Sequence, residues 1–219
     1  YKGYTRRVDD SILNVCVGIE IYRHCILIHD DVIDMDTFRR GGKTIHRIFM
    51  EDYDDRFGEG IAVFLGDIVY SLASHVIIDS GFSEEKIAKS LLLLAKGYQE
   101  VNESQILDLL FEYKKNVDVN EWIVMASKRA ASLFKVTMLT GAVLGDAPKE
   151  DLKRLEEAAA SIGYAFDIQD DIIDTFADER QYGRPPCRDI ILGKKSLHVI
   201  CALNSMSLEE SGTLRSLLG

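Results

Sequence analysis

Ile162-Gly-Tyr-Ala-Phe-Asp-Ile-Gln-Asp-Asp-Ile-Ile-Asp-Thr-Phe176 decides the reading of this chain. Asp170, Asp171 and Asp174 form a DDxxD quintet inside an otherwise largely apolar, proline-free stretch. On a helix, residues four apart share a face, so Asp170 and Asp174 point together, with Asp171 about a hundred degrees round. The quintet recurs as Asp30, Asp31 and Asp34 in His29-Asp-Asp-Val-Ile-Asp34, directly after Cys25-Ile-Leu-Ile28. One quintet could arise by chance in a chain this rich in aspartate. Two, each in an apolar helical setting, point to function. Carboxylates beside an apolar core are unfavourable unless cations pair them. Hard oxygen ligands, with only His29 at the edge of the first set, indicate Mg²⁺, with Mn²⁺ as the alternative. Two facing sets could hold several ions with a diphosphate between them, because Mg²⁺ commonly takes one or two carboxylates and shares its other positions with phosphate.

Working outward, the pattern is helical almost throughout. Ser11 to about Asp36, Glu59 to Ser80 and Ser83 to Asn116 read as long helices, the second stopped by Gly81. Asp118, Asn120 and Glu121 open a fourth helix that runs through Trp122 to about Leu144. Gly145-Asp146 breaks it, and Asp146 is placed to cap a fifth helix reaching about Phe176, with Pro148 in its first turn. Gly183–Arg188 reads as a loop, and Ser207-Leu-Glu-Glu210 as the capping box of a short last helix. No stretch alternates as a strand should, and no turn is flanked by β-branched runs. No apolar run approaches the ~20 residues of a membrane span. The expectation is one all-α domain over residues 1–219.

Asp and Glu outnumber Lys and Arg by 36 to 26, for a net charge of −10. That balance excludes a nucleic-acid wrapper or a binder of anionic lipid, but not a polyphosphate enzyme in which metal ions invert the local sign. Cys16, Cys25, Cys187 and Cys201 match neither zinc spacing nor a disulfide framework, so a reducing, cytoplasmic setting is expected. Basic residues follow each acidic set: Arg39-Arg40-Gly-Gly-Lys43 after the first, and Arg184, Arg188, Lys194 and Lys195 after the second. Arginine forks suit diphosphate oxygens.

These residues resemble the trans-isoprenyl diphosphate synthases, the farnesyl and geranylgeranyl diphosphate synthase family. His29–Asp34 followed by Arg39-Arg40-Gly41 is similar to the family's first aspartate-rich motif, and Phe166–Asp174 to its second. Gly66-Asp67, Gln105 with Asp108, Ala131-Ser-Leu-Phe134, Gly183–Asp189 and Gly193-Lys-Lys-Ser196 match between and after them, so the likeness runs from about Glu20 to Leu203. The resemblance implies an antiparallel all-α bundle around a deep central cavity, and a homodimer. It implies that isopentenyl diphosphate attacks an ionised allylic diphosphate, with proton loss. Asp30, Asp31, Asp34, Asp170, Asp171 and Asp174 would hold or support Mg²⁺. Arg39 would hold the allylic diphosphate, Arg40 the isopentenyl diphosphate, and Lys194 would help close the site; Arg23 and Gln105 would also bind substrate.

Several positions depart from the family pattern. Arg23 stands where a His is usual, with His24 adjacent; Arg129-Ala130 replaces a Lys-Thr pair; Asp167 replaces a Gln; Arg184 replaces a Lys. Arg129, Asp167 and Arg184 are thus the catalytic candidates whose chemistry has changed. The isopentenyl-gripping Gly-Lys-x-x-Arg-Pro segment does not precede Glu20, and the resemblance would place about one more helix at the C-terminus, so the domain reads as incomplete at both ends. Cys25 and Ile26, with Tyr22 one turn deeper, would line the tail pocket, predicting a product near geranylgeranyl length. A non-catalytic partner subunit and a terpene cyclase are the alternatives; a second DDxxD, rather than an Asn/Asp-Ser/Thr-Glu metal motif, argues for condensation.

Overall fold

The computed structural model describes residues 1–178, 180 and 186–219. Among them run α1 (Lys2–Thr5), α2 (Asp10–Ile33), a ribbon of β1 (Phe38–Arg39) and β2 (Gly42–Lys43), α3 (Ile45–Asp52), α4 (Asp55–Ile78), α5 (Glu84–Tyr113), α6 (Val119–Ala126), α7 (Ala130–Leu144), α8 (Lys149–Phe176), α9 (Arg188–Ile191), α10 (Leu197–Ser205) and α11 (Leu208–Arg215). The all-α class read from the sequence is the class observed.

Helix starts follow local chemistry. The Asp9 and Asp54 carboxylates accept the backbone N–H groups of Ile12 and Phe57, capping α2 and α4. Asp118 with Glu121, and Ser207 with Glu210, form reciprocal capping boxes on α6 and α11.

Four expectations are corrected. Asp146 does not cap α8: it lies in the left-handed region at φ 59°, and its carboxylate takes Lys86 Nζ at 2.7 Å. The fourth helix is not continuous. The N–H groups of Lys128 and Arg129 bond three residues back, to Met125 and Ala126, and the Ser127 hydroxyl donates to the Val124 carbonyl at 2.7 Å. Such tightening and back-bonding interrupt the α ladder, so α6 stops at Ala126 and α7 restarts at Ala130. The strand-free reading misses the β1–β2 ribbon, in which Phe38 pairs with Lys43 and Arg39 with Gly42. Its turn residues, Arg40 and Gly41, both have positive φ (52° and 80°), as a tight hairpin with native twist requires. Finally, α2 and α4 are each long and apolar enough, by length and composition, to cross a membrane. Core helices meet the same criterion, and these two pack along each other.

The chain divides into two compact units, Tyr1–Leu93 with Thr140–Pro148, and Leu94–Leu139 with Lys149–Gly219. In the first, α2 lies against α4 through missing side chains. A Cβ on Gly18 would fall 2.7 Å from Ile77 Cγ1, and one on Gly66 only 2.1 Å from His29 Nε2. The His29 ring uses the space at Gly66 to donate from Nε2 to the Val63 carbonyl at 3.0 Å. Gly66→Ala is therefore expected to displace His29, the residue before the first quintet, and to lower stability by roughly 1–3 kcal/mol, as overpacking does. Urea unfolding measures this; an unchanged midpoint would show that the ring moves freely. In the second unit, Phe111, Val117, Trp122, Met125, Ala126 and Ile200 form the core, with Tyr164 and Ile168 of α8 packed on it. That packing fixes the rotation of α8 and hence the direction of its aspartates.

Candidate active site

Both aspartate sets lie at the C-terminal ends of long helices. Asp30 and Asp31 are in the last turn of α2, and Asp34 is its C-cap, one residue past a helix that ends at Ile33 rather than at about Asp36 as expected from the sequence. Asp170, Asp171 and Asp174 fall in the last two turns of α8, which ends at Phe176. A helix C-terminus carries partial negative charge and favours cations. Neither helix has a basic residue in its last turn. Carboxylates concentrated there call for positive charge from elsewhere.

For the first set that charge is Arg39, returned by the ribbon. Its Nη2 donates to Asp30 Oδ2 at 3.0 Å, its Nε to Asp31 Oδ1, and Asp36 Oδ2 lies 3.8 Å away. Burial raises the Asp31 pKa, only partly offset by Arg39. Asp36 is buried and was missed by sequence reasoning, although it follows the quintet by two residues. It is held by its own backbone: its N–H donates to the Asp31 carbonyl at 2.9 Å, and its carbonyl accepts the Thr44 hydroxyl at 2.6 Å. Arg40 is exposed at the hairpin tip. Arg23 forms a two-pronged pair with Glu20 on its own helix.

For the second set the charge is Arg129, presented at the α6–α7 break. Its Nε lies 3.2 Å from Asp167 Oδ1, Nη2 3.5 Å from Asp171 Oδ1, and Nη1 3.6 Å from Asp108 Oδ2. Burial works to lower the Arg129 pKa, but Asp167, Asp108 and Asp171 more than reverse it. Lys194 adds Nζ contacts to Asp108 at 3.8 Å and Asp189 at 3.6 Å. Asp174, 2% exposed, accepts the Asp189 N–H at 3.0 Å and so ties α8 to the start of α9. The aspartates therefore divide. Asp167, Asp171 and Asp174 form a buried stripe, whereas Asp170 is exposed.

Burial pushes the Asp171 carboxyl up to about 7, with Arg129 offsetting only part of it, and raises Asp167 for the same reason. A raised carboxyl holds its proton in the folded state after the unfolded chain, at 3.8, has lost it. The contribution of this carboxyl to the stability of the metal-free protein is thus full below about pH 4 and falls as pH rises towards 7. In EDTA, the melting temperature should be lower at pH 8 than at pH 5, and Asp171→Asn should flatten the difference. A melting temperature that rises over this range contradicts the assignment.

The second unit thus brings together Arg129, Asp167, Asp171 and Lys194 with Asp108 and Asp189. Asp108 was legible only as a family match near Gln105, which is half-buried one turn earlier on α5. Arg184 lies outside the described residues. Tyr22 and Cys25 are wholly buried on α2, Tyr22 edge-on to Tyr70 of α4 with ring centroids 6.2 Å apart, and Ile26 is half-buried. None of the three lines the groove of about 410 Å³ along α4, which is bordered by Phe64, Asp67, Ile68, Ser71, Leu72 and His75.

A divalent ion suits the second set, extended by Asp167 one turn before it, on one direct observation: Asp167 Oδ2 and Asp171 Oδ2 are buried without a hydrogen-bond partner among the described residues. Among those residues no three His, Cys, Asp or Glu side chains already converge as an ion cage. That is the arrangement expected where phosphate and water supply most ligands.

Comparison with known proteins shows the family and the fold. The polyprenyl synthetase family model matches residues 3–219. The chain is 33% identical to the short chain isoprenyl diphosphate synthase of Methanocaldococcus jannaschii, over 99% of this chain and 64% of that one. It superposes on the geranylgeranyl pyrophosphate synthetase of Pyrococcus horikoshii with a TM-score of 0.84 and 32% identity, covering 95% of this chain and 62% of that one. It also superposes on the geranylgeranyl pyrophosphate synthase of Corynebacterium glutamicum, a structure complexed with isoprenyl diphosphate and magnesium. There the TM-score is 0.89 at 27% identity, covering 96% of this chain and 62% of that one. The chain belongs to the polyprenyl synthetase family, the trans-isoprenyl diphosphate synthases. It spans less than two thirds of the length of each of these relatives.

Proposed function

We infer that this chain carries out metal-dependent prenyl transfer, condensing isopentenyl diphosphate with an allylic diphosphate to a short-chain trans-prenyl diphosphate of about geranylgeranyl length. The observation that carries the reading is the pair of DDxxD sets, each at the negative end of a long helix with an arginine laid across it. The names of the relatives support the product class.

Asp30, Asp31 and Asp34, and Asp170, Asp171 and Asp174, are the residues that would hold Mg²⁺, with Mn²⁺ as a substitute. Bound Mg²⁺ supplies charge to draw the diphosphate away from its allylic carbon. Arg39, already at Asp30 and Asp31, would exchange part of that contact for diphosphate oxygens when the ions neutralise the carboxylates. Arg40, exposed one residue on, would take the second diphosphate. Lys194 is the cation placed to follow Asp189 and α9 as the substrate is enclosed. The released diphosphate is the base for the final proton, since the sequence offers no dedicated one.

The reading includes a homodimer and a cytoplasmic setting. The first is supported by an exposed apolar face on α4 that includes Phe64, Ile68 and Leu72. The second is supported by the spacing of the four cysteines, which matches neither a zinc site nor a disulfide framework. The test is one assay: protein, Mg²⁺ and isopentenyl diphosphate with each short allylic diphosphate in turn, products identified by mass. A C20 diphosphate that disappears in EDTA is expected. No extension from any allylic partner overturns the reading, and a hydrocarbon from geranylgeranyl diphosphate alone replaces it with cyclisation.

A further inference from the structure

Only one of the two unpartnered oxygens on α8 belongs to the DDxxD quintet. The two are carried by Asp167 and Asp171, four residues apart, and Asp167 lies outside the quintet. The two residues are 5% and 7% exposed, and Oδ2 of each is buried without a hydrogen-bond partner among the described residues. Both carboxylates turn their Oδ1 atoms to the same guanidinium, at 3.2 Å and 3.5 Å. One side of each carboxylate is therefore fixed by Arg129, and the unpartnered oxygens are carried by residues one helical turn apart, whose Cβ atoms are about 5–6 Å from each other. Arg129 is a single positive charge shared with a third carboxylate, Asp108. The charge around it is not balanced, and an isolated buried carboxylate oxygen is strongly unfavourable.

We propose that Asp167 and Asp171 form a divalent-cation site of their own through their Oδ2 atoms, one that fills without diphosphate. Carboxylates that give one oxygen to a metal and the other to an orienting donor are the usual outer-shell design, and Arg129 is that donor here. Two carboxylates with the remaining positions taken by water match what Mg²⁺ and Mn²⁺ accept. Asp170 is exposed and takes no part, so the site shares only Asp171 with the set that would hold the ions recruited with the substrate. The inference stands on the α8 side chains and Arg129 and does not require the condensation reaction.

Mn²⁺ alone is the probe. The intact chain is titrated at pH 7.5 with no diphosphate present, and free Mn²⁺ is followed by its electron paramagnetic resonance signal. The wild type is expected to sequester an ion that Asp170→Asn retains and that Asp167→Asn binds at least tenfold more weakly. Asp167→Glu, which keeps the carboxylate, should recover binding. If Asp167→Asn does not fold, Asp171→Asn carries the same expectation, with circular dichroism confirming its helices. A wild type that sequesters no Mn²⁺ without diphosphate overturns the proposal, and so does an Asp167→Asn or Asp171→Asn variant that binds as tightly. Failure of the prenyl-transfer assay would leave this titration unaffected, so the two results are separable.

Discussion

Replacing Arg129 by leucine is expected to remove roughly 3–5 kcal/mol of folding stability, the effect of deleting one partner from a buried ion pair. The side chain contacts three carboxylates that are each less than a tenth exposed, so its loss strands Asp108, Asp167 and Asp171 together. Against a total stability of about 5–15 kcal/mol, that is enough to populate unfolded chain at moderate temperature. The effect has a pH signature. Asp171 already titrates at about 7, and without Arg129 its neutral form is favoured further, so the deficit should be smaller at pH 5 than at pH 8. Arg129→Lys should fall between wild type and leucine, because it keeps the charge and loses the fork that reaches three acids. Combining Arg129→Leu with Asp167→Asn should restore part of the loss, since it removes one stranded charge. Urea unfolding of the four proteins decides it. If leucine changes the midpoint by less than the error of extrapolation, the cluster is not held by Arg129.

Asp170→Ala should do the opposite: leave stability where it was and cut turnover by roughly a thousandfold, equivalent to about 4 kcal/mol of lost transition-state stabilisation. Asp170 is exposed, so no packing or buried pair depends on it. Asp174→Ala separates the two kinds of role. It removes the acceptor of the Asp189 N–H from a site only 2% exposed, and should therefore reduce stability and turnover together. Steady-state kinetics beside thermal melts make the comparison. Near-normal turnover in Asp170→Ala would refute its role as the solvent-facing metal ligand.

Much of this was open to reading from the chain itself. The helical class, the two carboxylate sets, the helix start at Asp118 and the capping box at Ser207 follow from spacing and local chemistry, which act over three or four residues. So does the expectation of hard-metal and diphosphate chemistry, because it depends on which residue types are gathered on one helix turn. Local effects outside the helical pattern were harder. The ribbon around Arg40-Gly41 is too short to alternate, yet it is what brings Arg39 back to Asp30 and Asp31.

Pairings across long separations were not readable at all. Arg129 is 21 residues from Asp108 and 42 from Asp171, and only the packing of α8 on the Trp122 and Ile200 core turns Asp167 and Asp171 towards it. The two residues that read as isolated departures from the family pattern, Arg129 and Asp167, prove to be partners 3.2 Å apart. The sequence by itself determined the helices and the acids they carry, since both are set by neighbours along the chain. Which acids are buried, which stay in solvent and which cation each one meets were decided by tertiary structure. Burial and charge compensation depend on elements that meet only when the chain has folded.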